Sequence, residues 1–490
     1  MLVIYCRNAS ACMHISTRSE ELGMSRSYDL VVLGAGPAGE SAAELAAFFG
    51  YSVIIVEKNK PGGVVTTTGG APTKTLRESM LAMTGFHDRD VYGITVSAPP
   101  QVAVEKIADR TRHVAELLQN VTAQNIAKNN VDYLEGTARI SSSRTVQVTS
   151  PKGEHSELSA KIILVATGSR PFHPKNIPFE DPDVWDSDEF FSRGRRLPKS
   201  IFIVGGGAVG VEFATIFAGL GVTTTISDSS DRLVRTMDAE MSELIGDHLK
   251  RIGVNVVLEA ETKTVERVKG MLVVTLSNGL VLYPDAVLFA AGRAANTDDL
   301  GLEEADVQLD DRGRIIVDHN YKTTADGIYA AGDVLGPSLA SVAMEQGRIA
   351  VCRAFDIKLK GTVDPIRVSA VYSMPEVAGV GLTEEQCRSQ GLDFEVGRSD
   401  LSLTPRGAIA GHGGMLKLIF DRKDRRLLGV HCFGDIASEL VGVGQMVMHF
   451  NGTITAFMEL TLNTPTYTYA YKYAAMDGIR KLGGERKPPN

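Results

Sequence analysis

Short apolar runs, each released by a glycine-rich turn into a helical pattern, set the rhythm of the first two thirds of the chain. Leu30-Val31-Val32-Leu33 predicts a buried strand. The turn Gly34-Ala35-Gly36-Pro37-Ala38-Gly39 follows, then an Ala-rich helix to Phe49, with Gly50 as its stop. Ser52 to Val56 is a second strand, and Glu57 closes it. The pattern then recurs. Ile201-Phe202-Ile203-Val204 runs into Gly205-Gly206-Gly207-Ala208-Val209-Gly210, a helix, and a strand ending near Asp228. The same 23-residue interval separates Gly34 from Glu57 and Gly205 from Asp228.

One strand–glycine turn–helix is weak evidence; two with matching acid spacing read as two dinucleotide-binding βαβ units. The first glycine of each (Gly34, Gly205) makes the tight turn. The second (Gly36, Gly207) lets a pyrophosphate approach the backbone, and the third (Gly39, Gly210) packs helix on strand. The helix N-terminus supplies amide donors and partial positive charge. Glu57 and Asp228 stand where a carboxylate accepts from a ribose diol.

Three more strands end on glycine: Lys161 to Gly168, Ala286 to Gly292-Arg293, and the segment from Thr324 to Gly332-Asp333. Helical patterns fill Val104 to Asn129 and Asp238 to Lys250. From about residue 366 the pattern changes. Met415 to Phe420 and Leu427 to Phe433 read as paired strands around a polar turn, and helices are expected from Ser438 to Phe450 and Ala470 to Leu482. The expected fold class is therefore α/β, with two Rossmann-like three-layer domains and a C-terminal α+β domain.

Composition narrows the functional classes. A formal charge of −8 with no long basic run argues against general nucleic-acid binding. No apolar run approaches the roughly 18 residues of a membrane span. The five cysteines, Cys6, Cys12, Cys352, Cys387 and Cys432, form neither a redox pair nor a metal-ligand cluster, which reads as a reducing, cytoplasmic setting without metal. Residues 1–23 read as a disordered or mis-started extension, since Leu2 to Tyr5 is shorter than the apolar core of about 7–15 residues in a signal peptide.

Together these motifs resemble the pyridine nucleotide–disulfide oxidoreductase family of flavoproteins, over Tyr28 to Leu482. The resemblance implies an FAD-binding domain in two parts (24–175 and 294–365), an NAD(P)-binding domain (176–293) and a C-terminal dimerisation domain (366–490) that makes a homodimer. It implies FAD and NAD(P) as cofactors, with pyridine nucleotides as substrates. It assigns Gly34, Gly36, Gly39 and Glu57 to the ADP half of FAD, Gly136 to the adenine, Thr167 and Gly168 to the family's Ala-Thr-Gly motif, and Asp333 to the ribitol chain. Gly63 and Gly292 join the cofactor-binding set. Gly205, Gly207, Gly210 and Asp228 fall to the second nucleotide. Lys74 matches the lysine beside flavin N5, and Glu212 its carboxylate partner beside the nicotinamide; these two are the expected catalytic residues.

The loop Gly62 to Lys74 is where the chain departs from the disulfide reductases. Their paired thiols fall at Val65 and Gly70, and their C-terminal histidine–glutamate base pair at Thr464 and Tyr469. None of these four can form a thiolate or act as a base near neutral pH. Glutathione, lipoamide and mercuric-ion chemistry are thereby excluded. Ser169 to Pro174, Asp186 to Asp188, Pro337 to Ser341, Gly429 to Gly434 and Asn463 to Thr466 resemble the soluble pyridine nucleotide transhydrogenases, a branch in which Val65 is a departure. That likeness implies hydride passing from NAD(P)H through flavin N5 to a second nucleotide. Two alternatives stay open: a flavin reductase or oxidase that serves a quinone, dioxygen or small organic acceptor, and a non-catalytic flavin-binding dimer. Asp228 favours NAD(H) over NADP(H), with Arg232 and Arg235 as residues able to reach a phosphate. Tyr467, Tyr469, Tyr471 and Tyr473 either line a pocket for such an acceptor or simply pack within a helix.

Overall fold

A computed structural model describes residues 26–84, 100–190, 197–359 and 361–483. The expected extension 1–23, with Cys6 and Cys12, lies outside the described residues. The chain divides into two compact units, one built from the described residues up to Thr67 with Ala115–Arg170 and Ala294–Val363, the other from Thr68–Val114, Pro171–Arg293 and the residues from Asp364 onward.

The first unit centres on a seven-stranded sheet. Arg26–Leu33 lies at its middle, pairing in parallel with Val53–Glu57 on one side and His155–Val165 on the other. The continuous apolar run is explained by burial of both faces. Leu30 and Val32 point into one cluster with Ala38, Ala42, Ala43 and Ala46 of the helix Pro37–Phe48, while Val31 and Leu33 face another with Ile140, Val146 and Ile328. Small residues on that helix allow close approach: a Cβ on Gly347 of the helix Ala340–Ala354 would lie 2.2 Å from Ala38 O.

The second unit repeats the arrangement. Its parallel sheet runs Asn255–Val257, Thr223–Ser227, Ser200–Val204, Ala286–Phe289, Val184–Asp186. A five-stranded antiparallel sheet follows in the C-terminal segment, with the fully buried strand Leu427–Gly434 at its centre. The helices Ala437–His449 and Ala470–Lys481 cover it.

One expectation changes. The loop expected over Gly62 to Lys74 is mostly helical: a short helix Gly63–Thr67, a turn, and a helix Ala71–Thr84. Threonine hydroxyls bond back to carbonyls of the preceding turn, Thr67 Oγ1 to Gly63 O at 2.9 Å and Thr73 Oγ1 to Gly70 O at 2.9 Å, so the polar side chains are satisfied inside the helical turns. Of the two readings of the tyrosines, packing is the one that Tyr471 follows. Tyr471 is fully buried, its hydroxyl donating to Leu440 O at 2.7 Å and accepting from Gly444 N at 3.1 Å, so it ties two helices together and lines no pocket. Tyr467 is buried as well, while half-buried Tyr469 meets Tyr473 edge-on at 5.3 Å.

Candidate functional site

In the first unit the strand Arg26–Leu33 breaks at Gly34, where φ is +108° and a Cβ would lie 2.4 Å from Ala166 O. Only glycine meets both demands. Gly36 is the N-cap of the following helix and offers no side-chain cap, and a Cβ there would meet nothing within 4 Å. The helix N-terminus is therefore open to an anion with backbone amides uncapped. Gly39 sits so close to the turn that a Cβ would fall 2.0 Å from Gly34 O. Glu57 is buried and spans the turn: Oε2 accepts from Ala35 N at 2.7 Å and Oε1 from Asn59 N at 2.8 Å. Each oxygen retains a lone pair for a ribose hydroxyl.

A cavity of about 340 Å³ opens beside this turn, lined by Gly34, Glu57, Gly136, Thr167, Arg170 and Asn296 among others. Gly136 donates its amide to Glu57 O at 2.9 Å, and a Cβ there would strike Val148 Cγ1 at 2.7 Å. Thr167 and Gly168 are tied to Asn296, a residue the sequence reading missed. Thr167 Oγ1 donates to Asn296 O at 2.7 Å, Asn296 Nδ2 to Thr167 O at 2.9 Å, and Asn296 N to Gly168 O at 2.9 Å. Asp333 is held by Ser169 Oγ at 2.8 Å and by Ser338 N and Oγ at 2.9 and 3.1 Å. Gly63 packs its Cα side against Gly36, 3.1 Å from where a Cβ would stand. The uncapped helix, the glycine cradle and the adjoining cavity fit the ADP half of FAD.

The second unit reproduces the turn closely. Gly205 has φ of +106°, a Cβ on Gly210 would lie 1.8 Å from Gly205 O, and Gly207 is an open N-cap without a side-chain bond. Asp228 Oδ2 accepts from Gly206 N at 2.6 Å and Oδ1 from Ser230 N at 2.8 Å. Gly292, with φ of +126°, accepts from Phe172 N at 3.1 Å at the end of a neighbouring strand. Of the two arginines able to reach a phosphate, Arg232 has its Nη2 3.2 Å from Glu385 Oε1, while Arg235 is exposed.

Lys74 and Glu212 meet. Leu76 and Met80 of the helix Ala71–Thr84 share an apolar cluster with Phe213 and Phe217 of the helix Ala208–Gly219, and that packing sets the two charges opposite each other. Lys74 Nζ lies 3.0 Å from Glu212 Oε2 and 3.2 Å from Oε1. The Glu212 side chain is 7% exposed and the Lys74 side chain 33%. Tyr372, which sequence reasoning missed, closes the group. Its amide donates to Glu212 Oε1 at 2.9 Å, and its ring centroid lies 4.8 Å from Lys74 Nζ. Burial, then the charges of Glu376 and Glu212, push the Tyr372 phenol up. Arg77, one turn beyond Lys74, donates through Nε to Ser373 O at 3.0 Å and pairs with buried Glu376 at 3.1 Å, which fixes the helix to the Tyr372 segment at a second point. No local pattern marks Tyr372; it follows the strand Val368–Val371 and reaches the pair only through tertiary packing.

Val65 lies in the helix Gly63–Thr67 and Gly70 in the turn before the next helix. Thr464 is exposed ahead of a cis peptide bond to Pro465, and Tyr469 closes a 3₁₀ turn.

A family model described as pyridine nucleotide-disulphide oxidoreductase matches residues 28–347, and one for that family's dimerisation domain matches residues 368–475. The soluble pyridine nucleotide transhydrogenase of Mycobacterium bovis BCG Pasteur is 37% identical over 461 residues, 93% of this chain and 98% of that protein. The protein of the same name in Marinomonas sp. is 36% identical over 464 residues, 94% of this chain and 99% of its own length. Among solved structures, LpdA of Mycobacterium tuberculosis superposes with a TM-score of 0.84 at 26% identity, over 92% of this chain and 99% of LpdA. The HOCl-induced flavoprotein disulfide reductase RclA of Escherichia coli gives 0.82 at 26% identity, with the same coverage.

Proposed function

Because the chain belongs to the pyridine nucleotide-disulphide oxidoreductases, we propose that it is an FAD-dependent NAD(P) transhydrogenase that uses no disulfide step. The observation that carries this reading is the retained Lys74–Glu212 ion pair, at 3.0 Å, in a chain with Val65, Gly70, Thr464 and Tyr469 at the thiol and base positions. When bound, FAD supplies a two-electron hydride carrier that one nicotinamide nucleotide loads and another unloads.

The residues of this chain do the binding and orienting. Gly34, Gly36, Gly39, Glu57, Gly63, Gly136, Thr167, Gly168 and Asp333 hold FAD; Gly205, Gly207, Gly210, Asp228 and Gly292 hold the nucleotide. The FAD-binding segments are 24–175 and 294–365, the nucleotide-binding domain is 176–293, and the dimerisation domain is 366–490. Lys74 keeps a fixed positive charge at the reaction centre, and Glu212 orients it. Such a preorganised charge costs no reorganisation during transfer. One nicotinamide site serves donor and acceptor in turn, so the kinetics are ping-pong. The protein works as a homodimer in the cytoplasm; the match of residues 368–475 to the dimerisation domain supports the dimer.

Anaerobic reduction with NADH or NADPH followed by thio-NAD⁺ tests this reading. Thio-NAD⁺ should reoxidise the enzyme within its turnover time. Reoxidation only by a quinone or by air would replace the proposal with the flavin-reductase reading. That second reading has one observation in its favour: Asp228, a carboxylate at the ribose end of the strand, disfavours NADP(H).

A further inference from the structure

A single site that serves both nucleotides faces a conflict at the ribose. Asp228, at the end of the strand Thr223–Ser227, suits the 2′-hydroxyl of NAD(H) and repels the 2′-phosphate of NADP(H). Resting on the transhydrogenase reading, we propose that Glu385 is a specificity-determining residue. It is a counter-ion on which Arg232 parks while the site holds NAD(H), and from which a 2′-phosphate draws it when the site takes NADP(H).

The position of Arg232 follows from two anchors. Ser230 N donates to Asp228 Oδ1 at 2.8 Å, and Val234 N donates to Gly206 O at 2.8 Å. Residues 228–234 thus fold back over the glycine turn, with Leu233 Cδ2 only 2.6 Å from where a Cβ on Gly206 would stand. Arg232 projects between the anchors, at the strand end where such βαβ units place the adenosine ribose.

Its contact with Glu385 is an ion pair without aligned hydrogen bonds. Arg232 Nη2 approaches Glu385 Oε1 at 3.2 Å, yet Arg232 Nε and both Glu385 oxygens are sealed from solvent without a hydrogen-bond partner. A guanidinium has five donors in a planar fork, and a phosphate matches that fork with paired oxygens and a larger charge. The exchange of carboxylate for phosphate therefore gains hydrogen bonds that the resting pair lacks.

Glu385 itself is fixed. It lies on the helix Glu384–Ser389, which a Thr383–Gln386 capping box closes. Glu384 N donates to Asp238 Oδ2 at 3.2 Å, and its carboxylate meets Arg398 Nη2 at 3.0 Å and Lys417 Nζ at 2.5 Å. With its helix pinned, Glu385 stays in place and Arg232 moves alone. The arginine thus keeps an anionic partner in both nucleotide states, Glu385 when no phosphate is present and the 2′-phosphate when one is.

Calorimetric titration of the FAD-loaded protein with ADP-ribose and 2′-phospho-ADP-ribose tests this without turnover. The readout is the ratio of the two affinities. E385Q should raise preference for the phosphorylated probe roughly fivefold, the upper range for releasing a partly exposed ion pair. R232Q should lower it by about tenfold or more, with R232K recovering part of the loss. The E385Q gain should vanish in the R232Q background. An unchanged ratio in either single variant, a gain that survives in the double variant, or a larger loss from R235Q than from R232Q overturns the proposal. Failure of the wild type to bind either probe sinks the nucleotide reading and this one with it; normal binding with unchanged ratios sinks only this one.

Discussion

Replacing Lys74 with methionine should slow reduction of the bound flavin by NADH on the order of 10²- to 10³-fold, the usual effect of removing one preorganised charge from a reaction centre. Anaerobic stopped-flow absorbance measures it directly. The geometry also shows how the result must be controlled. Lys74 is the cation that faces Glu212, whose side chain is 7% exposed and whose other donor is Tyr372 N at 2.9 Å. Deleting the lysine leaves a buried carboxylate short of its counter-ion, at a cost of about 1–3 kcal/mol. A slow K74M enzyme alone therefore does not separate loss of the lysine from exposure of the acid. K74M/E212Q does. If Lys74 merely neutralises Glu212, the double variant regains most of the rate. If Lys74 itself stabilises the charge that develops in hydride transfer, the double variant stays slow. The second outcome is expected, and full recovery in the double variant would refute the catalytic role of Lys74.

What the sequence reveals, and what it hides, follows from the range of each interaction. Both nucleotide turns are legible because their demands are local. Gly34 and Gly205 need a backbone conformation that other residues resist, and Gly39 and Gly210 must clear a carbonyl about 2 Å from any Cβ. The acids of each turn are also local, and Glu57 and Asp228 bond backbone amides of their own turns in matching ways. Lys74 and Glu212 are legible only through family likeness, since 138 residues separate them and packing of two helices brings them together. Tyr372 leaves no local trace at all. The Gly62 to Lys74 stretch misleads because its glycines and threonines read as a loop, whereas threonine hydroxyls satisfy carbonyls within two short helical turns. Tyr471 is ambiguous in sequence, since an aromatic row reads as pocket lining or as helix packing, and only its two buried backbone partners decide for packing.

Lys417→Met should destabilise the protein by about 3–5 kcal/mol at neutral pH. In sequence, Lys417 is the one polar residue in the apolar strand Met415 to Phe420. In the fold it is 1% exposed. Its ammonium lies 2.8 Å from Asp238, 2.9 Å from Glu240 and 2.5 Å from Glu384, with Arg398 bridging Glu240 and Glu384. Burial pushes the Lys417 pKa down, but hydrogen bonds to Asp238 and Glu384 more than reverse this, and it is raised. Burial pushes Asp238 up, and His431 and Lys417 more than reverse that; Glu240 is likewise lowered, with Arg398 and Lys417 outweighing burial. The signs fix the pH window. A carboxylate with a depressed folded pKa contributes fully above its unfolded value, about 4, and loses the contribution as pH falls through the folded one. A lysine with a raised pKa contributes below its unfolded value, about 10, and loses the contribution as pH rises through the folded one. The destabilisation by K417M should thus be largest between about pH 4 and 10 and shrink in acid, as read by chemical denaturation at several pH values. Asp238 also caps the helix Ala239–Arg251, accepting from Glu240 N, and asparagine preserves that cap. K417M/D238N should therefore lose less than the sum of the two single variants, because the second change removes a charge that the first left unpaired. Strict additivity, or a K417M cost that does not vary with pH, would mean that the cluster acts through packing alone.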